Sequence, residues 1–409
     1  MSPIKLAVII ETEIMAGGGH QQALNAALMI NKIDKTICQP IFITINKENV
    51  RTLREYNIES VHFKISKISK SIMYFKSKIF HPRLLRFVNR LGKHSPLEKF
   101  LINLKIDLLY FTSPSDLPRL INSFNFIYTV WDLCHRDNIE FPEVRENRVF
   151  EQRESKYKTI LPKALMILVD SELGKYNIIK RYGIDENRLI IMPFSPANKS
   201  MIDDTKYKED YIDIKNKYGL SCDYVFYPAQ FWSHKNHIFI LDGIKSLEEK
   251  KNVKIGAIFS GSDKGNEQYI KSEAEKRGII NRIIFAGFVP NNHIPFLYKQ
   301  SLALVMPTYF GPTNLPPMEA IQLGTPVLCG EIPGAKDQLG EGVVYLDLSN
   351  VNTFLESVLL LYDESFNKNI IEKGYSQLKI INQKRNTSEK NFIEVLEKYQ
   401  KIRRSWFSP

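Results

Sequence analysis

The sequence predicts an α/β protein built from two doubly wound, parallel-sheet domains, and three observations carry that expectation. The chain has 409 residues, which at a working size of ~150 residues per domain means two. Short β-branched or apolar runs alternate with stretches of helix-type spacing from end to end, the pattern of strands joined by crossover helices. One polar, irregular stretch interrupts the alternation near the middle, with Ser195, Pro196, Asn198, Lys199 and Ser200 in it, and reads as a linker.

In the first half the expected strands are Lys5 to Ile10, Pro40 to Ile45, Val61 to Ile65, Ile106 to Phe111, Phe126 to Trp131, Ala164 to Val169 and Arg188 to Met192. In the second half they are Tyr224 to Ala229, Val253 to Ser260, Ile283 to Ala286, Leu302 to Met306, Pro326 to Cys329 and Val343 to Leu346. Both series have the βα period of a Rossmann-like domain. The tail from Asn386 to Lys401 has helical spacing, with Phe392, Val395, Leu396 and Tyr399 on one face. The expected organisation is therefore a domain over 1–195, a linker over 196–209, a second domain over 210–385 and a C-terminal helix over 386–409 that packs back on the first domain. Ligands of doubly wound sheets bind outside the carboxyl ends of the strands, so the chemistry is expected between the domains.

Composition narrows the classes. Hydrophobic residues make up 44%, charged residues 25% and aromatics 11%, an ordinary globular mixture that lets each half bury a core and argues against long disorder or fibrous repeats. The longest apolar runs, Leu6 to Ile10 and Ala164 to Val169, fall far short of the ~20 residues of a membrane span. Glu11 follows the first apolar run too soon for a secretory signal, and a cytoplasmic protein is expected. Cys38, Cys134, Cys222 and Cys329 are scattered, with no pair at metal spacing, and read as reduced thiols.

The net charge of +11 is concentrated: residues 62–94 hold nine basic residues and no acidic one, leaving 47 basic against 45 acidic elsewhere. Within that segment Ile65, Ile68, Ile72, Phe75 and Ile79 share a helix face, with Lys67, Lys70 and Lys78 opposite. After Pro82, Leu84, Val88 and Leu91 face away from Arg83, Arg86 and Arg90. Basic amphipathic helices of this kind dock on anionic membranes, and that is preferred here to a solvated helix packed on the core. Nucleic acid is not the expected partner, because Tyr74, Phe75 and Phe80 form no stacking platform.

The most informative stretch runs from Thr308 to Val327. An expected strand end is followed by a Gly/Pro loop, Pro316 and Pro317 start a helix, and Gly324 closes it. A loop and helix N-terminus of this kind offer free N–H groups and a positive dipole end to a phosphate. Glu319, expected in the first turn, has a carboxylate that accepts two hydrogen bonds from a ribose diol. Taken alone, the stretch reads equally as a turn with a carboxylate capping its helix. Gly17, Gly18 and Gly19 lie between the first strand and a helix beginning near His20, where missing side chains let backbone approach a ligand. Without the full dinucleotide fingerprint, and with Ile43-Thr-Ile-Asn46 closing the second strand, they do not indicate a nicotinamide cofactor. His234 and His237 have metal-compatible spacing but neither an intervening carboxylate nor a third ligand, so no metal site is read there. Asp263 reads as closing a turn.

Taken together, these motifs resemble the retaining nucleotide-sugar glycosyltransferases of family 4, which have the GT-B fold. Leu315-Pro-Pro-Met-Glu-Ala320 with Gly324-Thr-Pro-Val327 is similar to the family's donor segment. The three glycines, Val130-Trp-Asp-Leu133, Val169-Asp-Ser-Glu172, Tyr227 to Asn236 and Phe285-Ala-Gly-Phe-Val289 follow in the family's order, so the resemblance covers nearly the whole chain. Phe310-Gly-Pro-Thr-Asn314 and Pro228-Ala-Gln-Phe-Trp232 resemble a mannosyltransferase-like branch in bacterial surface-polysaccharide synthesis.

The resemblance implies a donor site of Gly18, Gly19, Gln230, Lys235, Phe288, Gly311, Thr313, Asn314, Leu315 and Glu319, with ribose on Glu319, diphosphate on Lys235 and the base near Phe288. An ammonium a few ångströms from a diphosphate contributes ~4 kcal/mol per charge pair at an effective dielectric of about 20, before desolvation. Asp132 and Lys235 are the implied catalytic residues; a histidine often stands where Trp131 is, and His135, three residues on from Asp132 in a polar loop, is read as approaching the sugar in its place. The sequence departs from the family in two further places. A glutamate eight residues before Glu319 is usual where Gly311 stands, and an arginine is common where Gln230 stands. The implied activity is transfer of a hexose, with mannose from GDP-mannose first in order, to a glycan or lipid-linked acceptor in O-antigen or capsule synthesis. The implied partners are the nucleotide-sugar donor, the acceptor and an anionic membrane surface at the inner face of the cell membrane, with neither cofactor nor metal. A GT-B sugar-nucleotide epimerase and a catalytically silent sugar-nucleotide-binding scaffold stay open as alternatives.

Overall fold

The computed structural model describes residues 2–13, 18–66, 71, 94–196, 207, 209–311 and 314–406, with residues 18–20 described in backbone only. The chain divides into two compact units: Met1–Asp137 with Glu146–Pro193 and Lys384–Pro409, and Asn138–Arg145 with Phe194–Gln383.

The first unit is built on a seven-stranded parallel sheet ordered β3-β2-β1-β4-β5-β6-β7. Its strands are β1 (Ile4–Ile10), β2 (Cys38–Thr44), β3 (Ser60–His62), β4 (Leu108–Phe111), β5 (Asn125–Val130), β6 (Met166–Val169) and β7 (Leu189–Ile191). The unbroken apolar runs are explained by burial on both faces. Leu6, Val8 and Ile10 of β1 enter one core and Ala7 and Ile9 the other; Leu108 and Tyr110 of β4 divide from Leu109 and Phe111 in the same way. The second unit has a six-stranded parallel sheet ordered β10-β9-β8-β11-β12-β13. Its strands are β8 (Asp223–Pro228), β9 (Ile255–Ser260), β10 (Ile283–Gly287), β11 (Leu304–Met306), β12 (Val327–Gly330) and β13 (Val344–Leu346). Strand order reverses between β1 and β4 in one sheet and between β8 and β11 in the other, and ligands of open α/β sheets bind beyond such switch points.

Three features differ from the sequence expectations. The helical tail does not start at residue 386: one 40-residue helix runs from Glu364 to Arg403, and its part from Lys384 onward groups with the first unit. There Phe392, Leu396 and Tyr399 are buried in the first unit's core, each contributing ~1.5–3 kcal/mol, and Tyr399 Oη donates to the Asp107 carbonyl at 3.0 Å. Second, the helix after β1 starts at Gly18, so Gly18 and Gly19 are its first residues rather than a preceding turn. Third, the short segment Asn138–Arg145, which sequence reading leaves inside the first domain, groups with the second unit.

Lys67, Lys70, Lys78, Arg83, Arg86 and Arg90 of the basic segment lie outside the described residues. Among the described residues no helix is long and apolar enough to cross a membrane.

Candidate active site

In the second unit, the predicted donor residues other than Phe288, which follows the edge strand β10, come after the two strands that flank the switch point. After β8 the chain makes the one-turn 3-10 helix Ser233–Lys235 and enters the helix His237–Lys251 through Asn236, whose φ of +54° is one that asparagine tolerates. The turn is held at its end, where Tyr227 Oη donates to the Lys235 carbonyl at 3.0 Å and Lys235 N–H donates to the Trp232 carbonyl at 3.1 Å. Burial pushes the Cys329 thiol in β12 up to about 12, and the Lys235 charge works against that rise, so the ammonium is within electrostatic reach of the strand ends.

After β11, the loop through Thr308 to Gly311 leads to the helix Leu315–Gln322. The two loops are laced together: the His234 carbonyl accepts from Tyr309 N–H at 2.9 Å and from Thr308 Oγ1 at 3.2 Å. The turn that carries Lys235 and the loop that leads to the Glu319 helix therefore meet beyond the β8/β11 switch point, although some seventy residues separate them in sequence.

Gly311 has φ +81°, a left-handed conformation that glycine adopts without cost, and its carbonyl accepts from Asn314 Nδ2. A side chain at this backbone conformation, a glutamate included, would be strained. Asn314 stands at the N-cap position without a side-chain cap hydrogen bond, and Gln338 Oε1 accepts from its N–H at 3.4 Å. Leu315 was expected at the donor, but its side chain is buried with Met318 and Ile381, so it offers a ligand its backbone alone. Glu319 is the fifth residue of its helix, not in the first turn. It is half-buried and its Oε2 accepts from Tyr298 Oη at 3.1 Å. Burial raises its carboxyl and the Tyr298 hydrogen bond opposes the rise only in part. Gln230 turns its Oε1 to Trp232 Nε1 at 2.9 Å. Phe288 is 80% exposed. Thr313 lies outside the described residues. Asp263 closes its turn by accepting from Gly265 N–H at 2.8 Å and Glu267 N–H at 3.2 Å.

In the first unit, Asp132 stands two residues beyond β5 with its side chain 37% exposed. Its Oδ1 accepts from Arg153 Nη2 at 2.5 Å, Cys134 N–H at 3.0 Å and Cys134 Sγ at 2.6 Å. Burial works to raise this carboxyl, but the Arg153 guanidinium and these hydrogen bonds hold it at about 2. Asp132 is a fixed negative charge. His135, expected in a polar loop, lies in the four-residue helix Cys134–Asp137 and is fully buried. Its Nε2 is 3.0 Å from Glu154 Oε1, and its ring packs between Phe150 and Tyr157. Burial, assisted by Arg153, lowers it to about 4. The imidazole is thus buried and held against Glu154, not exposed in a loop as the sequence reading expects.

Sequence reasoning passed over three carboxylates. Glu154 accepts from Arg136 Nε and Nη2, both at 2.6 Å, and from Tyr182 Oη at 2.7 Å. Glu11, directly after β1, is raised by burial, and its Oε2 has no hydrogen bond among the described residues. Glu143 pairs with His234. No local pattern marks them; Glu154 alone sits in a charge-rich helical stretch, Glu151 to Lys158, that hints at a network.

Two doubly wound units, each with a parallel sheet whose strand order reverses at a switch point, have the architecture of the GT-B fold. Solved structures bear out the fold. The glycosyltransferase of Rickettsia africae superposes with a TM-score of 0.67 at 13% identity over 98% of this chain and 100% of that one. Anabaena Alr3699/HepE in complex with UDP-glucose gives 0.68 at 15% over 97% and 100%, and WaaG, a glycosyltransferase involved in lipopolysaccharide biosynthesis, gives 0.64 at 13% over 96% and 99%. Residues 212–377 match the family described as glycosyl transferases group 1, so the second unit carries that domain.

The resemblance to bacterial polysaccharide glycosyltransferases holds in sequence as well. The chain is 22% identical over 274 residues to O-antigen chain mannosyltransferase B of Escherichia coli, covering 66% of this chain and 68% of that protein. It is 25% identical over 181 residues to O-antigen chain mannosyltransferase RfbU of Salmonella typhimurium, a match that covers 44% of this chain and 46% of that one.

Proposed function

We propose that this chain is a retaining hexosyltransferase that takes its sugar from a nucleoside diphosphate donor, GDP-mannose first in order, and passes it to a glycan or lipid-linked acceptor in bacterial surface-polysaccharide synthesis. The observation that carries this reading is the meeting of the Lys235 turn with the Thr308–Gly311 loop, which leads into the Glu319 helix, beyond the β8/β11 switch point. The names of the two mannosyltransferase relatives support mannose, and the UDP-glucose complex of the Anabaena protein supports a nucleotide-sugar donor.

In this reading Lys235 and the N-terminus of the helix Leu315–Gln322 face the diphosphate, where negative charge builds as the leaving group departs. Glu319 accepts from the ribose hydroxyls. The bond between the anomeric carbon and phosphate oxygen breaks, the bond to the acceptor oxygen forms on the same face, and the acceptor proton passes to an oxygen of the departing diphosphate. Countercharge comes from the cation and the helix dipole rather than from a metal. The basic segment of residues 62–94 holds the protein to an anionic membrane beside its acceptor. Incubation with GDP-mannose and a bacterial lipid extract, with and without a chelator, tests the proposal: release of GDP and an axial mannosyl linkage in both conditions support it. An inverted linkage, or no turnover with any nucleotide sugar, rejects it.

A further inference from the structure

Glu143 stands in the four-residue helix Pro142–Arg145, within the segment that groups with the second unit. Its side chain is 9% exposed. Oε1 accepts from the His234 backbone N–H at 2.9 Å and also faces His234 Nδ1; Oε2 is buried and has no hydrogen bond among the described residues. Burial works to raise this carboxyl, but the hydrogen bonds from the His234 ring and backbone outweigh it and keep it below the usual carboxylate value. An ionised carboxylate only accepts, so the proton of this contact is on Nδ1.

The backbone bond answers a local need. His234 is the second residue of the 3-10 turn, where an N–H has no acceptor inside the turn, and Trp232 before the turn supplies no side-chain cap. The acceptor is brought instead from 91 positions away in the chain.

His234 is also where three separate stretches meet. Its carbonyl takes the Tyr309 and Thr308 hydrogen bonds, and its ring stacks on Phe310 with centroids 3.9 Å apart and planes at 15°. Phe141, two residues before Glu143, packs on Phe310 at 5.3 Å and on Tyr309 at 5.6 Å. The next residue after His234 is Lys235, and the next after Phe310 is Gly311.

We infer that Glu143 is a positioning residue for nucleotide binding, which through His234 holds the Ser233–Lys235 turn against the Thr308–Gly311 loop and so fixes where Lys235 is presented. This rests on the reading of Lys235 as a diphosphate ligand. Its test uses the full chain and two readouts, one of which needs no donor.

Hydrogen exchange compares wild type with Glu143→Ala. The amides of His234 and Tyr309 are expected to exchange at least about tenfold faster in the variant, because one has lost its acceptor and the other its anchored partner. Titration calorimetry with GDP, UDP, dTDP and ADP is expected to show affinity about tenfold weaker in Glu143→Ala, and within about threefold of wild type in Glu143→Gln, whose amide oxygen still accepts from the backbone N–H. Glu143→Ala combined with His234→Ala is expected to bind no worse than the weaker single variant. If Glu143→Ala fails to fold, Glu143→Asp, which keeps the charge but shortens the reach, carries the same expected losses. Unchanged exchange overturns the inference, and so does faster exchange with unchanged affinity. Wild-type protein that binds none of GDP, UDP, dTDP and ADP overturns the donor reading and this inference with it, and is distinguished from the other failures because the exchange data stand apart from binding.

Discussion

The phenol of Tyr298 donates to Glu319 Oε2 at 3.1 Å, joining the helix Ile294–Lys299 to the helix that starts the proposed nucleotide site. Tyr298 is fully buried and Glu319 half-buried, so this one hydrogen bond only partly offsets the burial of a carboxylate. Because the folded state raises the Glu319 carboxyl, it holds a proton better than the unfolded chain does, and stability attributable to this group falls as pH rises past the ordinary carboxylate value.

In the proposed function this carboxylate gains its partner when the ribose hydroxyls bind. Glu319→Gln is expected to raise the melting temperature of ligand-free protein at pH 7 while weakening nucleotide binding by about tenfold, the loss of roughly one charge-assisted hydrogen bond. Thermal melts with and without nucleotide check both halves. A variant that is neither more stable nor weaker in binding contradicts the assignment.

Lys235→Ala is expected to lower kcat by on the order of 10²-fold, the scale seen when one donor to a developing anion is removed. Steady-state rates with the preferred nucleotide sugar measure it, and a near-normal rate rejects the phosphate role.

Gly311→Glu would restore the side chain that the resemblance leads one to expect. At φ +81° it is expected instead to cost about 1–2 kcal/mol of stability and to bring no gain in turnover. Urea denaturation and an activity assay decide the point; an unstrained, more active variant would show that the loop rearranges.

His135 yields a pH prediction in the first unit. Burial and Arg153 hold it neutral down to about 4, whereas an unfolded histidine takes up its proton near the ordinary value of about 6.5. The unfolded state therefore binds more protons in this window, and stability falls as pH drops from about 6.5 to about 4, with a limiting slope of ~1.4 kcal/mol per pH unit from this group. His237, buried and lowered to about 3, acts the same way in the second unit. His135→Gln is expected to flatten the wild-type pH dependence measured by urea melts between pH 4 and 7.

Most of the architecture is legible in the sequence because parallel strands buried on both faces read as unbroken apolar runs. Leu6 to Ile10 and Ala164 to Val169 need nothing distant to be recognised. The donor loop is legible for a similar reason, since Pro316, Pro317 and Gly324 mark a helix start and stop through their own backbone constraints. What escapes is long-range. Glu143 and His234 share no pattern, and their pairing depends on a short segment grouping with a unit whose main chain begins fifty residues later. His135 reads as a loop residue because the groups that bury it, Glu154, Phe150 and Tyr157, come from the helix Val149–Ile160. The single helix from Glu364 to Arg403 is missed although Phe366, Ile370, Leu378 and Ile381 keep helical spacing, because Gly374 and the wholly polar run from Asn382 to Asn391 interrupt the pattern.

The basic segment supports a fifth test, of location rather than chemistry. Neutralising Lys67, Lys70, Arg83 and Arg86 is expected to weaken binding to anionic liposomes, each cation contributing ~1 kcal/mol near the surface, while turnover of a short soluble acceptor is spared. Unchanged liposome binding removes the docking role.

The central claim is that the second unit binds a nucleoside diphosphate through Lys235 and Glu319. Titration calorimetry of the purified full chain with GDP, UDP, dTDP and ADP, first without metal and then with Mg²⁺, tests it most directly. The account predicts selective binding of one nucleotide that is lost in Lys235→Ala. Absence of binding to all four, or binding indifferent to Lys235, would contradict it.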